Sequence, residues 1–186
     1  MIRYIKGDIT KSDCDIICHQ VNCQGAMNSG VAKAIREKWP EVYEYYKVWC
    51  DREEDKANLL GEAQGVLINE SSRRYVGNLY AQYNYGYNGE RYTNYEAFYN
   101  AIQQLANQIT DAPEATIAFP YKVGCVRGGA NWKIIRTMIE EVFKDRKIYY
   151  YYLNEKDLDD EEHLLIIATE MLEQATGVTL NEQKNN

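Results

Sequence analysis

The sequence predicts an α/β fold, a layered sheet with helices on both faces. Two observations carry that expectation. Short apolar runs of strand length alternate along the chain with segments of helical spacing. Glycine-bearing loops follow some of those runs and lead into helices, as crossover connections require.

Ile2 to Lys6 reads as a short strand, followed by Gly7-Asp8-Ile9-Thr10. Asp15 to Val21 is a compact apolar run that suits a buried strand. From Val31 to Cys50 the spacing is helical, with Val31, Ile35, Val42, Tyr45 and Tyr46 on one side. Pro40 is expected to break or kink that helix. A charged linker, Asp51 to Asn58, leads to two strands, Ala63 to Asn69 and Tyr75 to Ala81, around a polar turn at Glu70 to Arg74. A tyrosine-rich loop precedes a helix from Tyr95 to Ile109, and Ala115 to Pro120 is the next strand. The loop YKVGCVRGGAN then opens a helix from Trp132 to Lys144, and Lys147 to Leu153 is the last strand. One domain over 1–153 is expected, with a helical extension over 154–176 and a flexible polar tail over 177–186. Leu164, Leu165, Ile167, Ala168, Met171 and Leu172 give the extension an apolar side, which would pack on the domain or on a second copy.

The 186 residues carry a formal net charge of −7 and 45% are hydrophobic, which suits a soluble globular protein. An acidic balance argues against a protein that coats nucleic acid, since phosphate contacts need clustered Lys and Arg. It leaves room for one small anionic ligand held by backbone donors. The opening MIRYIKGD lacks the apolar core of a signal peptide, and no apolar run approaches the ~18 residues of a membrane span. A cytoplasmic protein with no membrane partner is expected, its five cysteines reduced. Tyrosine is abundant, 17 residues, and supplies flat area with a hydroxyl to ligand walls and half-wet cores alike.

The stretch CHQVNCQGAMNSG, Cys18 to Gly30, gathers residue types that carry chemistry. Cys14, Cys18, His19 and Cys23 suggest a metal site. Adjacent strand residues point to opposite faces, however, and there is no CxxC pair, so no metal is expected. Cys23 or Cys125 beside His19 would suggest a thiol nucleophile, but no third group is evident to orient the pair. An anion cradle fits better. Gly25, Ser29 and Gly30 precede one helix, and Gly124, Gly128 and Gly129 precede another. Glycine lets backbone N–H groups approach a ligand, and helix N-termini attract phosphate. In α/β sheets such loops share the rim where ligands bind. Asp8 follows the first strand and would either accept from an adenine amino group or close an Asx turn, which its residue type favours.

In chain order these pieces resemble a macro domain, the α/β module that binds ADP-ribose. The resemblance covers residues 1–153 through GDIT at 7–10, HQVNCQGAMNSGVAKAI at 19–35, LLGEAQG at 59–65, NLYAQYNYGYNGERYTNYEA at 78–97 and FPYKVGCVRGGANWKIIRTMIEEVF at 119–143. It implies a three-layer α/β/α fold with a mixed central sheet, to which the C-terminal helix is added. Within the family the chain is most similar to small phage and bacterial members related to ADP-ribose 1″-phosphate phosphatases.

The resemblance also assigns roles. Asp8, with the backbone of Ile9, would hold adenine, and Asn22 would face the distal ribose. The loop Gly25 to Val31, with Ser29 and Gly30, would clasp the diphosphate together with Gly124, Cys125, Val126, Arg127, Gly128 and Gly129. Tyrosines of the 83–92 loop would wall the adenine or the ribose, and Val21 and Cys23 would line or pack. His19 stands where phosphatase-like members place a histidine associated with attack or proton transfer on the terminal phosphate. The second loop departs from the pattern: GCVRGGANW replaces GCGLAGGDW, so Val126, Arg127, Ala130 and Asn131 differ. Asn131 removes a carboxylate but keeps a hydrogen-bonding side chain, and Arg127 adds a planar cation suited to a phosphate or carboxylate. The glycohydrolase branch uses a lysine and an aspartate. Gln82 or Tyr83 and Gly128 stand near those positions, which disfavours that activity.

Two functions stay open. One is hydrolysis of ADP-ribose 1″-phosphate, with His19 as nucleophile or proton carrier. The other is a binder that sequesters an ADP-ribose-derived signal, as an anti-defence protein in the host cytoplasm would if the chain came from a phage. Neither calls for a cofactor. The expected partner is a small ADP-ribose-type ligand, and the sequence leaves the oligomeric state open.

Overall fold

The computed structural model describes residues 1–176; the stretch 177–186, expected to be a loose tail, lies outside them. Six strands, β1 (Ile2–Lys6), β2 (Ile16–Asn22), β3 (Ala63–Asn69), β4 (Arg74–Gln82), β5 (Thr116–Pro120) and β6 (Lys147–Tyr152), form one sheet in the order β1-β6-β5-β2-β4-β3. Neighbours run parallel except β3, which is antiparallel to β4. The sheet is therefore mixed, as expected.

The helices are α1 (Gly30–Lys38), α2 (Pro40–Arg52), α3 (Tyr95–Gln108), α4 (Trp132–Val142) and α5 (Asp160–Thr176). The helix expected from Val31 to Cys50 is two helices. Pro40 lacks an N–H and its ring would clash with a preceding turn, so α1 ends at Lys38 and Pro40 begins α2. Among the described residues no helix is long and apolar enough to cross a membrane.

Strand alternation divides the core between two faces. Ile16, Cys18, Leu79, Ala81, Ile117 and Phe119 pack with Phe98, Ile102, Ile135 and Ile139 of α3 and α4. Ile17, Val66, Val76 and Ala118 face the other way, toward Ile35 and Val42 of α1 and α2. Burying one such side chain contributes about 1.5–3 kcal/mol. β2, between β5 and β4 and buried along nearly all its length, firmly positions the residues at its carboxyl end.

α5 docks by a different side from the one the apolar pattern suggests. Ile166 reaches the core, and the Glu162 carboxylate, 2% exposed, accepts from Trp132 Nε1 (3.0 Å) and Arg136 Nη1 (2.9 Å). Leu164, Ile167, Met171 and Leu172 are each more than half exposed.

Candidate ligand-binding site

The parallel strands end on one rim, where the connections after β2, β4 and β5 meet around a cleft of 340 Å³. β2 supplies His19 to Asn22, and the loop into α1 supplies Ala26 and Asn28 to Ala32. Gln82, Tyr85, Gly86 and Tyr87 come from the end of β4 and its loop; Pro120 to Gly124 and Val126 to Gly128 come from β5 and the second glycine loop. In a chain of net charge −7, the described residues of this wall include Lys122 and Arg127 but no carboxylate. The described lining of the cleft is thus free of acidic side chains although the protein is acidic.

Asn22 organises the first loop. Its Nδ2 donates to Ala26 O (2.7 Å), and its Oδ1 accepts from the amides of Gln24 (2.9 Å) and Ala26 (3.2 Å) and from the Tyr46 hydroxyl (3.0 Å). The turn so formed presents the N-terminus of α1. Ser29 makes no side-chain cap there, and the amides of Gly30, Val31 and Ala32 have no acceptor among the described residues. Unpaired donors at a helix N-terminus, reinforced by the helix dipole, are groups that favour an anion.

The second loop is shaped by close approach. Gly124 has φ +72°, and a Cβ there would lie 2.5 Å from Gln20 Oε1; one at Gly128 would run into Thr93 Oγ1 and the Gly124 carbonyl. Gln20 Nε2 donates to Gln82 Oε1 (2.6 Å) and Thr93 Oγ1 (2.8 Å), and Thr93 Oγ1 donates to Gly124 O (2.7 Å). The amides of Tyr92 and Thr93 both donate to Gly128 O. This stitching holds the two loops together and leaves the amides of Val126, Arg127 and Gly128 without an acceptor among the described residues. At the mouth, the Arg127 guanidinium sits 4.5 Å from the centre of the Tyr87 ring, a cation–π contact. Lys122, by contrast, donates to the Asp159 carboxylate (2.8 Å) and the Asp157 carbonyl (3.0 Å), so the C-terminal segment neutralises it.

His19 belongs to the cleft wall yet is only 1% exposed. Its Nε2 lies 2.6 Å from Oδ1 of Asn78, while Nδ1 is buried and meets no partner among the described residues. Burial lowers the ring's pKa to about 4, partly offset by the bond to Asn78, so the imidazole is neutral at pH 7.

No family model matches the chain. Over 68 residues it is 40% identical to an ADP-ribose 1″-phosphate phosphatase of Scheffersomyces stipitis, covering 33% of this chain and 39% of that protein. The match thus spans well under half of that relative's length. An uncharacterized 17.5 kDa protein of Enterobacteria phage T4 is 29% identical over 144 residues, 75% of this chain and 88% of the phage protein. Among solved structures, the macrodomain of Mycobacterium tuberculosis DarG matches in fold with a TM-score of 0.70, at 22% identity over 83% of this chain and 99% of that one. The fold is that of a macro domain.

In this macrodomain the residues singled out by sequence divide into two groups. His19, Asn22, Ser29, Gly30, Val31, Gly124, Val126, Arg127 and Gly128 line the cleft, whereas Asp8, Ile9, Gly25, Cys125, Gly129 and Asn131 are not among its lining. Asp8 Oδ1 accepts from the amide and hydroxyl of Thr10, which is the Asx turn, and Ile9 is buried. Gly25 lies against Lys47 and Cys50, and Gly129 against Arg91. Asn131 caps α4 through the amide of Lys133. Burial pushes the thiols of Cys23 and Cys125 up to about 12, so neither is a ready nucleophile. Among the described residues no group of three His, Cys, Asp or Glu is placed to hold a metal. Gln20, Asn78, Thr93 and Lys122 escaped the sequence reading because their partners are remote in the chain. Only the position of Lys122 between a strand and glycines hinted at a role.

Proposed function

We propose that this macrodomain binds a diphosphate-bearing nucleotide of the ADP-ribose class and holds it without turning it over. The carrying observation is that two sets of unpaired amides, with Arg127 beside them, face one cleft without a carboxylate among its described lining. A diphosphate supplies acceptors for both sets, and the tyrosines of the 83–92 loop offer flat surface to the rest of the nucleotide.

The state of His19 supports retention. A nucleophile or general base must come within about 3 Å of its target. Here Nε2 is engaged by Asn78, and the described lining of the cleft holds no carboxylate to act with the ring as a second acid or base. Sequestering of an ADP-ribose-derived signal is the biological form such retention takes. Hydrolysis of ADP-ribose 1″-phosphate is the second candidate, favoured by the name of the Scheffersomyces relative and by the place of His19 in the wall.

Calorimetric titration with ADP-ribose tests binding. Incubation with ADP-ribose 1″-phosphate, then heat denaturation and ligand recovery, tests retention. Stoichiometric recovery of intact ligand is expected; catalytic phosphate release that disappears in His19→Ala would overturn it in favour of the phosphatase.

A further inference from the structure

Gln64, Asn78 and His19 stand in one row across three strands. Asn78 pairs in register with Gln64 on β3 and with His19 on β2. Their hydrogen bonds have a direction set at the far end. Gln64 Nε2 donates to the backbone carbonyl of Tyr45 in α2 (3.2 Å), and a carbonyl can only accept. Gln64 Oε1 is left to accept from Asn78 Nδ2 (2.9 Å), and Asn78 Oδ1 is left facing His19 Nε2 (2.6 Å). An amide oxygen has no proton to give. The imidazole proton therefore sits on Nε2, and Nδ1 carries a bare lone pair. Gln64, Asn78 and His19 are 5%, 0% and 1% exposed, so bulk water offers the row no competing arrangement.

The row leaves a second observation unexplained. Nδ1 is a buried acceptor with no partner among the described residues, in a residue that belongs to the cleft lining. Buried acceptors in folded proteins are satisfied by water or by ligand. What satisfies this one must be a donor.

We propose that the Gln64–Asn78–His19 row determines ligand specificity: by fixing the Nε2–H tautomer it presents the cleft with an acceptor. The ligand group seated at His19 is then a hydroxyl, bound directly or through one water, and not a phosphate dianion. Asn78 and Gln64 are positioning residues that act through His19. A hydroxyl supplies the proton that Nδ1 lacks. A phosphate dianion brings only acceptors and would set its charge against the Nδ1 lone pair where water is excluded. An imidazolium in the same place would reverse the preference, because Nδ1–H would donate.

The ligand comparison rests on the ADP-ribose proposal; the state of the ring does not. The chain has two histidines, so long-range proton–nitrogen NMR on the uniformly labelled protein at pH 7 reads the His19 tautomer directly. A protonated Nε2 and bare Nδ1 are expected; a protonated Nδ1 would overturn the proposal whatever the ligand. Titration of the same protein with ADP-ribose and with ADP-ribose 1″-phosphate should favour the hydroxyl-ended nucleotide by about tenfold or more. Asn78→Asp places a carboxylate on Nε2 that stabilises the imidazolium, and should narrow or invert that ratio. A wild-type preference for the phosphate-ended nucleotide would overturn the specificity. So would a ratio unchanged in a folded Asn78→Asp protein whose ring NMR shows as imidazolium. Failure of both nucleotides to bind, with the tautomer as stated, would instead overturn the ADP-ribose proposal and with it the ligand assigned to His19.

Discussion

Trp132 Nε1 and a carboxylate oxygen of Glu162 meet at 3.0 Å inside the protein, joining the first residue of α4 to the first turn of α5. Arg136 Nη1 reaches the same oxygen at 2.9 Å, with Glu140 and Glu161 also against its guanidinium. The Trp132 ring packs edge-on against Tyr121 of the cleft wall, with 5.1 Å between ring centres. One buried carboxylate thus ties the C-terminal helix to the aromatic layer behind the ligand site.

Glu162→Ala removes the acceptor and leaves two sheltered donors unpaired, at a cost of about 2–4 kcal/mol. Glu162→Gln keeps an uncharged acceptor and should cost less. Denaturant midpoints measure both. Equal stability of Glu162→Ala and wild type would mean that the contact holds nothing.

His19 makes stability depend on pH with a definite sign. Its folded pKa, about 4, lies below the ordinary 6.5, so between those values the unfolded chain binds the proton more readily. The contribution is complete above about pH 6.5 and is lost as pH falls toward 4, on the order of 3 kcal/mol in all. Glu155 and Glu161, whose pKa values are lowered by their bonds to Lys6 and Arg136, also lose partners in acid. Comparison with His19→Gln isolates the imidazole. The variant should show a shallower decline between pH 6.5 and 4 in chemical denaturation, and parallel curves would refute the assignment.

Gly124→Ala meets two obstacles: a positive φ, costing about 1–2 kcal/mol for a side-chain-bearing residue, and a Cβ 2.5 Å from Gln20 Oε1. The second loop must shift, and with it the amides of Val126 to Gly128. Affinity for ADP-ribose should fall by about tenfold or more while the far-UV spectrum is kept. Unchanged affinity would exclude these amides from binding.

Arg127→Ala should weaken ADP-ribose binding by roughly tenfold to a hundredfold if its guanidinium meets the diphosphate. Tyr87→Ala, which removes only the surface beneath it, should cost a smaller factor, near the ~0.5–1 kcal/mol of an exposed cation–π contact. Titration of both variants ranks them, and a larger loss in Tyr87→Ala would place the ring and not the cation against the nucleotide.

Much of the fold was legible because it rests on local patterns. β3 falls on the predicted residues, and Pro40 marked the break between α1 and α2. The glycines of the second loop announced the close approach seen at Gly124 and Gly128. Pairing between distant strands was not legible. Nothing around His19 says that parallel register sets it beside Asn78, or that Gln64 follows in the same row. Asn22 illustrates the same limit. Its residue type suits a ribose, but its amide makes four hydrogen bonds that build the loop. The docking side of α5 was hidden because a single buried glutamate, and not the leucine stripe, decides it.

The hold of Asp159 on Lys122 bears on how fast a ligand can arrive. With that charge cancelled in place, Arg127 is the cation left unmatched by a carboxylate among the described lining residues, on a body of net charge −7. Little long-range attraction then draws an anion in, and encounter depends on diffusion and orientation. Association should be unhurried and should quicken modestly as salt screens the net negative charge. The amides would set the residence time instead, which is what the proposed retention of the nucleotide requires.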